Sequence, residues 1–85
     1  MATDVEVVEI SDCRARLETK KGERNQGGLL VQFDDLDEEW LPKSQISEDS
    51  EVYKEGTSGT LIVSKWIADK KNLTSRGEVR YIGAS

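Results

Sequence analysis

The longest aliphatic runs in this chain, Leu29-Leu30-Val31 and Leu61-Ile62-Val63, are only three residues long; Gly28 precedes the first, Gly59-Thr60 the second, and polar residues follow both. Runs this short exclude a membrane-spanning helix, which needs about 20 apolar residues, and a long buried helix. Bounded by turn formers, they suit short buried strands. The rest of the chain follows the same rule. Val5, Val7, Val8 and Ile10 are interleaved with Glu6 and Glu9, a strand pattern whose alternation breaks at Val7-Val8, as at a bulge or in a strand that changes faces. In the next stretch Cys13, Ala15 and Leu17 would share one face, with Arg14, Arg16 and Glu18 on the other, which predicts a second strand.

Residues 20–28 are polar and glycine-bearing, the pattern of an exposed, mobile hairpin loop. Residues 29–33 and 38–41 read as a hairpin joined through Asp34-Asp35-Leu36-Asp37, whose side chains bond their own backbone readily. Pro42 has no N–H, so the ladder stops or lies at an edge there, and residues 43–46 form a connector or helical turn. After polar residues 47–51 and a turn zone at 53–59, Thr60-Leu61-Ile62-Val63 is a buried strand. Ser64 is a good N-cap for a helix of about two turns running to Asn72, with Lys70 and Lys71 matching its C-terminal dipole. Glu78-Val79-Arg80-Tyr81-Ile82 alternates as a closing strand; the other reading of residues 74–85 is a flexible tail.

At 85 residues the chain makes one domain, 1–85, and a chain of this size buries about 60% of its unfolded surface. The core must be thin, and Trp40 and Trp66, the largest apolar groups, are expected to anchor it. The fold class is mostly β: a small, partly open barrel, SH3-like or OB-like, of five or six short antiparallel strands with one short helix. Closing a sheet is how a short chain hides its strand edges. A curled antiparallel sheet with the helix on one face fits the pattern as well.

There is no histidine, so imidazole-based metal sites and Ser-His or Cys-His nucleophiles are excluded, and no carboxylate pair is placed in a cleft. The chain is read as a non-enzyme without cofactor or metal. Cys13 is the single cysteine; together with the start Met-Ala-Thr-Asp-Val-Glu, which lacks a basic and apolar leader, it predicts a reducing, cytoplasmic setting. Fifteen of the seventeen acids precede Val63, against seven of the twelve bases. The acidic body repels phosphate at long range and favours a basic protein surface as partner.

Two motifs carry a resemblance. Trp40-Leu41-Pro42-Lys43-Ser44-Gln45 following a strand, and Trp66-Ile67-Ala68-Asp69-Lys70-Lys71-Asn72-Leu73 after it, resemble a group of short, uncharacterised bacterial and bacteriophage proteins that share a Trp-Leu-Pro-Lys-Ser-Gln motif and a Trp-x-Ala-x-Lys-Lys-x-Leu helix at similar spacing. The resemblance runs from about Gly28 to Leu73. Gln26-Gly27-Gly28 stands where the group usually has a Glu-Lys-Ala-like element. The resemblance implies a prokaryotic or phage origin, a compact strand-rich fold, and a place near nucleic-acid metabolism or host defence.

Two candidate sites follow. Asp34, Asp35, Asp37, Glu38 and Glu39, with Glu48, Asp49 and Glu51, are expected to form a negative face imitating a nucleic-acid backbone. The chain would then be a protein-binding inhibitor or regulator, phage-encoded, of a basic nucleic-acid-binding host protein. The bland reading is a solubilising surface. The alternative is a single-stranded nucleic-acid binder in which Trp40 or Tyr53 stacks on a base beside Lys43, Ser44 and Gln45, with Lys65, Lys70 and Lys71 continuing a basic stripe. There the bland reading has Ser44 and Gln45 capping a turn and Lys43 solvated.

Overall fold

In the computed structural model, residues 4–34 and 36–83 are described. The two strands expected at the start are a single strand, β1 (Asp4–Glu18), of 15 residues. No turn-forming pair divides them. Instead Asp12 takes a left-handed conformation, φ 58°, which Asp tolerates better than most residues. The register against the neighbouring strand shifts there, between Ile10 and Cys13, so the chain kinks without reversing.

The other strands are β2 (Gly28–Gln32), β3 (Glu38–Pro42), β4 (Ser58–Ser64) and β5 (Glu78–Gly83). All pairings are antiparallel, in the order β3-β2-β1-β4, with β5 also on β1. β1 is long enough to serve two partners end to end on one edge: β5 along Asp4 to Glu9 and β2 along Arg14 to Glu18. β4 occupies the opposite edge. The mostly β reading with one short helix therefore holds, and residues 78–83 are the closing strand. Among the described residues no ladder joins β3 to β4, so the barrel stays open. The chain itself crosses the gap: a 3-10 turn at Lys43–Gln45 leads to an isolated bridge between Ile46 and Val63, and Ser47 and Glu51 donate N–H bonds to the carbonyls of Ile62 and Thr60 at 2.8 and 3.0 Å.

Helix α1 (Lys65–Lys70) starts at Ser64, whose Oγ accepts the Ile67 N–H at 3.2 Å and donates to Gln45 Oε1 at 2.6 Å. It turns Ile67 and Ala68 onto the sheet. Gly77, entering β5, lies so close to β1 that a Cβ there would overlap the Glu9 carbonyl, so only glycine fits.

The core overturns the expectation placed on the tryptophans. It is aliphatic, built on Val8, Ile10, Leu29, Val31, Leu41, Val52, Leu61, Val63, Ile67 and Leu73, with Cys13, Ala15 and Ala68 filling the narrow places. Trp40 is 43% exposed and Trp66 60%. On β3 the alternation gives the inward position to Leu41, which puts Trp40 outside. On α1 the inward arc is taken by Ile67 and Ala68, and Trp66 lies outside it under the Lys70 ammonium, 4.9 Å from its ring.

Candidate binding face

A second irregularity in β1 builds the site. Arg14 and Ala15 pair with Gln32 and Val31, but Leu17 and Glu18 pair with Leu30 and Leu29, so Arg16 is an extra residue. Because side chains alternate with a period of two, one extra residue exchanges the faces beyond it. Leu17, expected inside with Cys13 and Ala15, is 51% exposed, whereas those two are buried. Glu18, expected outside, points inward with its side chain only 8% exposed.

Inside, Glu18 meets Lys43. The Lys43 side chain is 1% exposed, and its Nζ donates to Glu18 Oε2 at 2.5 Å, to the Lys20 carbonyl at 3.0 Å and to the Glu23 carbonyl at 2.9 Å. All three ammonium protons are used, as a buried cation requires. Glu18 Oε1 accepts the Glu55 N–H at 3.1 Å. The Lys43 bond, followed by the Glu55 amide, holds the Glu18 carboxyl below its usual range. Lys43 is therefore not solvated and is closed to phosphate. The 20–28 loop, expected to be mobile, is pinned by its own carbonyls.

Outside, Leu17, Leu30 and Trp40 stand in one cross-strand row, since Leu17 pairs with Leu30 and Leu30 with Trp40. The Trp40 ring lies over Gly28: a Cβ built there would come 3.3 Å from Cε3. The glycine thus gives the indole a flat seat and leaves its other face open. Beside this apolar row runs a polar one, Arg14, Gln32 and Glu38, in which Arg16 bonds Gln32 Oε1 at 3.1 Å and pairs with Glu38 at 3.6 Å. A shallow cleft of about 350 Å³ between Arg14, Arg16, Phe33 and Asp34 continues it.

The expected acidic face is divided and largely matched by bases. Asp35 lies outside the described residues. Asp34 Oδ1 accepts the N–H groups of Leu36 and Asp37 at 2.9 and 3.0 Å, turning the β2–β3 hairpin; the Leu36 bond above all lowers its pKa. Asp34 and Asp37 share Arg76, at 3.6 and 2.5 Å. Glu39 pairs with Lys71 at 3.4 Å. Glu51 spends an oxygen on the Thr60 N–H at 2.8 Å. Of the eight acids, Glu48, Asp49 and Glu51, all exposed, have no ion-pair partner among the described residues.

The alternative set is dispersed. Trp40 is on the sheet face, Ser44 is exposed, and Gln45 holds the helix cap. Tyr53 is half-buried between Arg24 and Lys54, at 5.0 and 5.6 Å from its ring. Lys65 pairs with Asp69 at 2.8 Å and Lys71 with Glu39. Burial pushes the Cys13 thiol up to about 11, so it stays protonated at neutral pH and is a poor nucleophile. No described helix is long and apolar enough to cross a membrane.

Sequence reasoning missed Leu17 and Leu30, because a bulge leaves no mark in the alternation it interrupts. The signal that could have found it was Glu18 and Lys43 together, a pair that satisfies both groups only if they share a face. No family model, no curated protein and no solved structure matches this chain.

Proposed function

We propose that this chain is a non-enzymatic protein-binding module, and that its partner contact is the outer face of β1, β2 and β3 with Trp40 at the centre. The observation that carries the reading is the outward row of exposed Leu17, half-buried Leu30 and exposed Trp40 on the sheet. An aromatic anchor amid apolar neighbours with a polar rim is the composition of an interface core, and tryptophan and arginine are the residues most enriched there. The net charge of −5 supports a partner that is positive around the contact, as the surface of a nucleic-acid-binding protein would be. A phage-encoded regulator of such a host protein is the biological form of this reading. Because most hairpin acids are already paired, charge acts here on approach and orientation, and the apolar row supplies the affinity.

The test is capture from a host lysate by the wild type and by a Leu17→Ser, Trp40→Ala double variant shown to be folded. A protein retained by the first and lost by the second is the expected result. Equal retention by both would remove the face from the interaction.

One observation favours a second reading, a single-stranded nucleic-acid binder: the exposed Trp66 ring with the Lys70 ammonium above it, a stacking surface beside a cation. Titration with single-stranded oligonucleotide at low salt, read by tryptophan fluorescence, tests it. A salt-sensitive quench lost in Trp66→Ala supports it, and an unchanged spectrum removes it.

A further inference from the structure

β3 is an open sheet edge, and its hydrogen-bond phase can be read from its ends. The Phe33 N–H donates to the Asp37 carbonyl at 2.9 Å and the Lys43 N–H to the Gly27 carbonyl at 3.0 Å. In an antiparallel pair bonded positions alternate, so Glu39 and Leu41 face β2 and the main-chain groups of Glu38, Trp40 and Pro42 point away from it. Among the described residues these outward groups have no strand partner, and β2 is the one strand that pairs with β3. Pro42 falls in an outward position, so its missing donor costs the β2–β3 ladder nothing. Glu38 and Trp40 are both exposed. An unpaired strand with a half-exposed indole at its middle is a template for another strand.

Resting on the reading that the Trp40 face binds protein, we infer that the partner is held by strand addition: an extended, basic segment pairs with β3 through the outward groups of Glu38 and Trp40. Main-chain bonds fix such a segment, and its alternate side chains are read by the sheet face. The residue opposite Trp40 emerges on the outer face and extends the row of Leu17, Leu30 and Trp40, so an aromatic or β-branched side chain fits there. Two positions along, the residue opposite Glu38 meets a carboxylate whose exposed pairing with Arg16 is long, 3.6 Å, so lysine or arginine fits there as a second cation. Charge selects this occupant over a second copy of the chain. Two copies joined at β3 would bring together two bodies of net charge −5.

The experiment uses a short synthetic peptide of alternating lysine and isoleucine, with a glutamate-for-lysine peptide as control, and follows single amides of the protein by hydrogen exchange. In the free protein the Glu38 and Trp40 amides are expected to exchange faster than those of Glu39 and Leu41. The lysine peptide should slow the first two by about tenfold or more, leave β5 unaffected, and shift the Trp40 emission. Glu38→Pro, which removes an outward donor without touching the β2–β3 ladder, should weaken the peptide by about tenfold more than Glu38→Gln, which removes the carboxylate alone, the size of one hydrogen bond. Protection of the Glu38 and Trp40 amides in the free protein, equal binding of the glutamate peptide, protection appearing on β5 instead, or no binding would each overturn the inference. A shift in Trp40 emission without protection of the two amides overturns strand addition while leaving the face as a binding surface. Failure of the functional reading itself appears elsewhere, as lysate capture indifferent to Trp40→Ala.

Discussion

The two faces of the β1–β2–β3 sheet invert the usual distribution of side chains. The inner face, packed on an aliphatic core, also houses a lysine and a glutamate with almost no solvent contact, while the outer face displays two leucines and a tryptophan. Neighbours in sequence fall on opposite sides: Leu17 beside Glu18, Trp40 beside Leu41. Residue type alone therefore does not assign a side chain to core or surface here. Register does, and the same extra residue at Arg16 that sends Glu18 in to Lys43 sends Leu17 out to Leu30. Stability sits on one side of the sheet and the proposed recognition on the other.

Substitutions on the two faces should separate these roles. The largest effect is expected for Lys43→Ala, which leaves Glu18 buried without its cation; breaking a buried pair from one side costs about 3–5 kcal/mol, measurable as a lower urea midpoint. Lys43→Met combined with Glu18→Leu should recover most of that loss, and a double variant as unstable as the single would show that the unpaired Lys20 and Glu23 carbonyls rather than the buried charge are at fault. Leu41→Ala should cost about 2–5 kcal/mol through the cavity it opens, whereas Trp40→Ala, one residue away, should cost about 1 kcal/mol while removing partner binding. Comparable losses at the two positions would erase the distinction between the faces.

Acid sharpens the contrast. Because the folded carboxyl of Glu18 titrates below its ordinary value of 4.5, its contribution to stability is complete above that value and lost as pH falls through the lower folded one. Urea midpoints measured from neutral pH down should therefore drop below pH 4.5, and Glu18→Gln should flatten that limb. The smallest change is expected from Arg76→Ala at the hairpin: the pairs it makes with Asp34 and Asp37 are solvent-exposed, so the midpoint should barely move.

Much of the scaffold was legible because it rests on local chemistry. The Asp34 turn, the Ser64 cap, the stop at Pro42 and the β-branched strand before the helix each announce themselves within a few residues. The core was misread at its largest side chains, since size predicts burial only when the alternation permits it. Leu41 and Ile67 held the inward positions, and Trp40 and Trp66 had to lie outside. The acidic cluster was visible as composition, but the bases that answer it, Arg16, Lys71 and Arg76, come from distant segments that only the fold brings near. Lys43 was expected either beside a bound nucleic acid or in solvent and is neither: it is a buried structural cation, and its polar company in sequence, Ser44 and Gln45, takes no part in holding it.

Lys43 has one further consequence. Residues 20–24 present Lys20, Lys21 and Arg24 on the surface, an inviting target for a protease that cuts after basic residues. Such an enzyme must draw a stretch of backbone into its cleft, and here the carbonyls of Lys20 and Glu23 are fastened from beneath by an ammonium that solvent does not reach. Cleavage at this loop waits on local opening around the 3-10 turn that carries the lysine. A segment without helix or strand is thereby kept on the clock of the core.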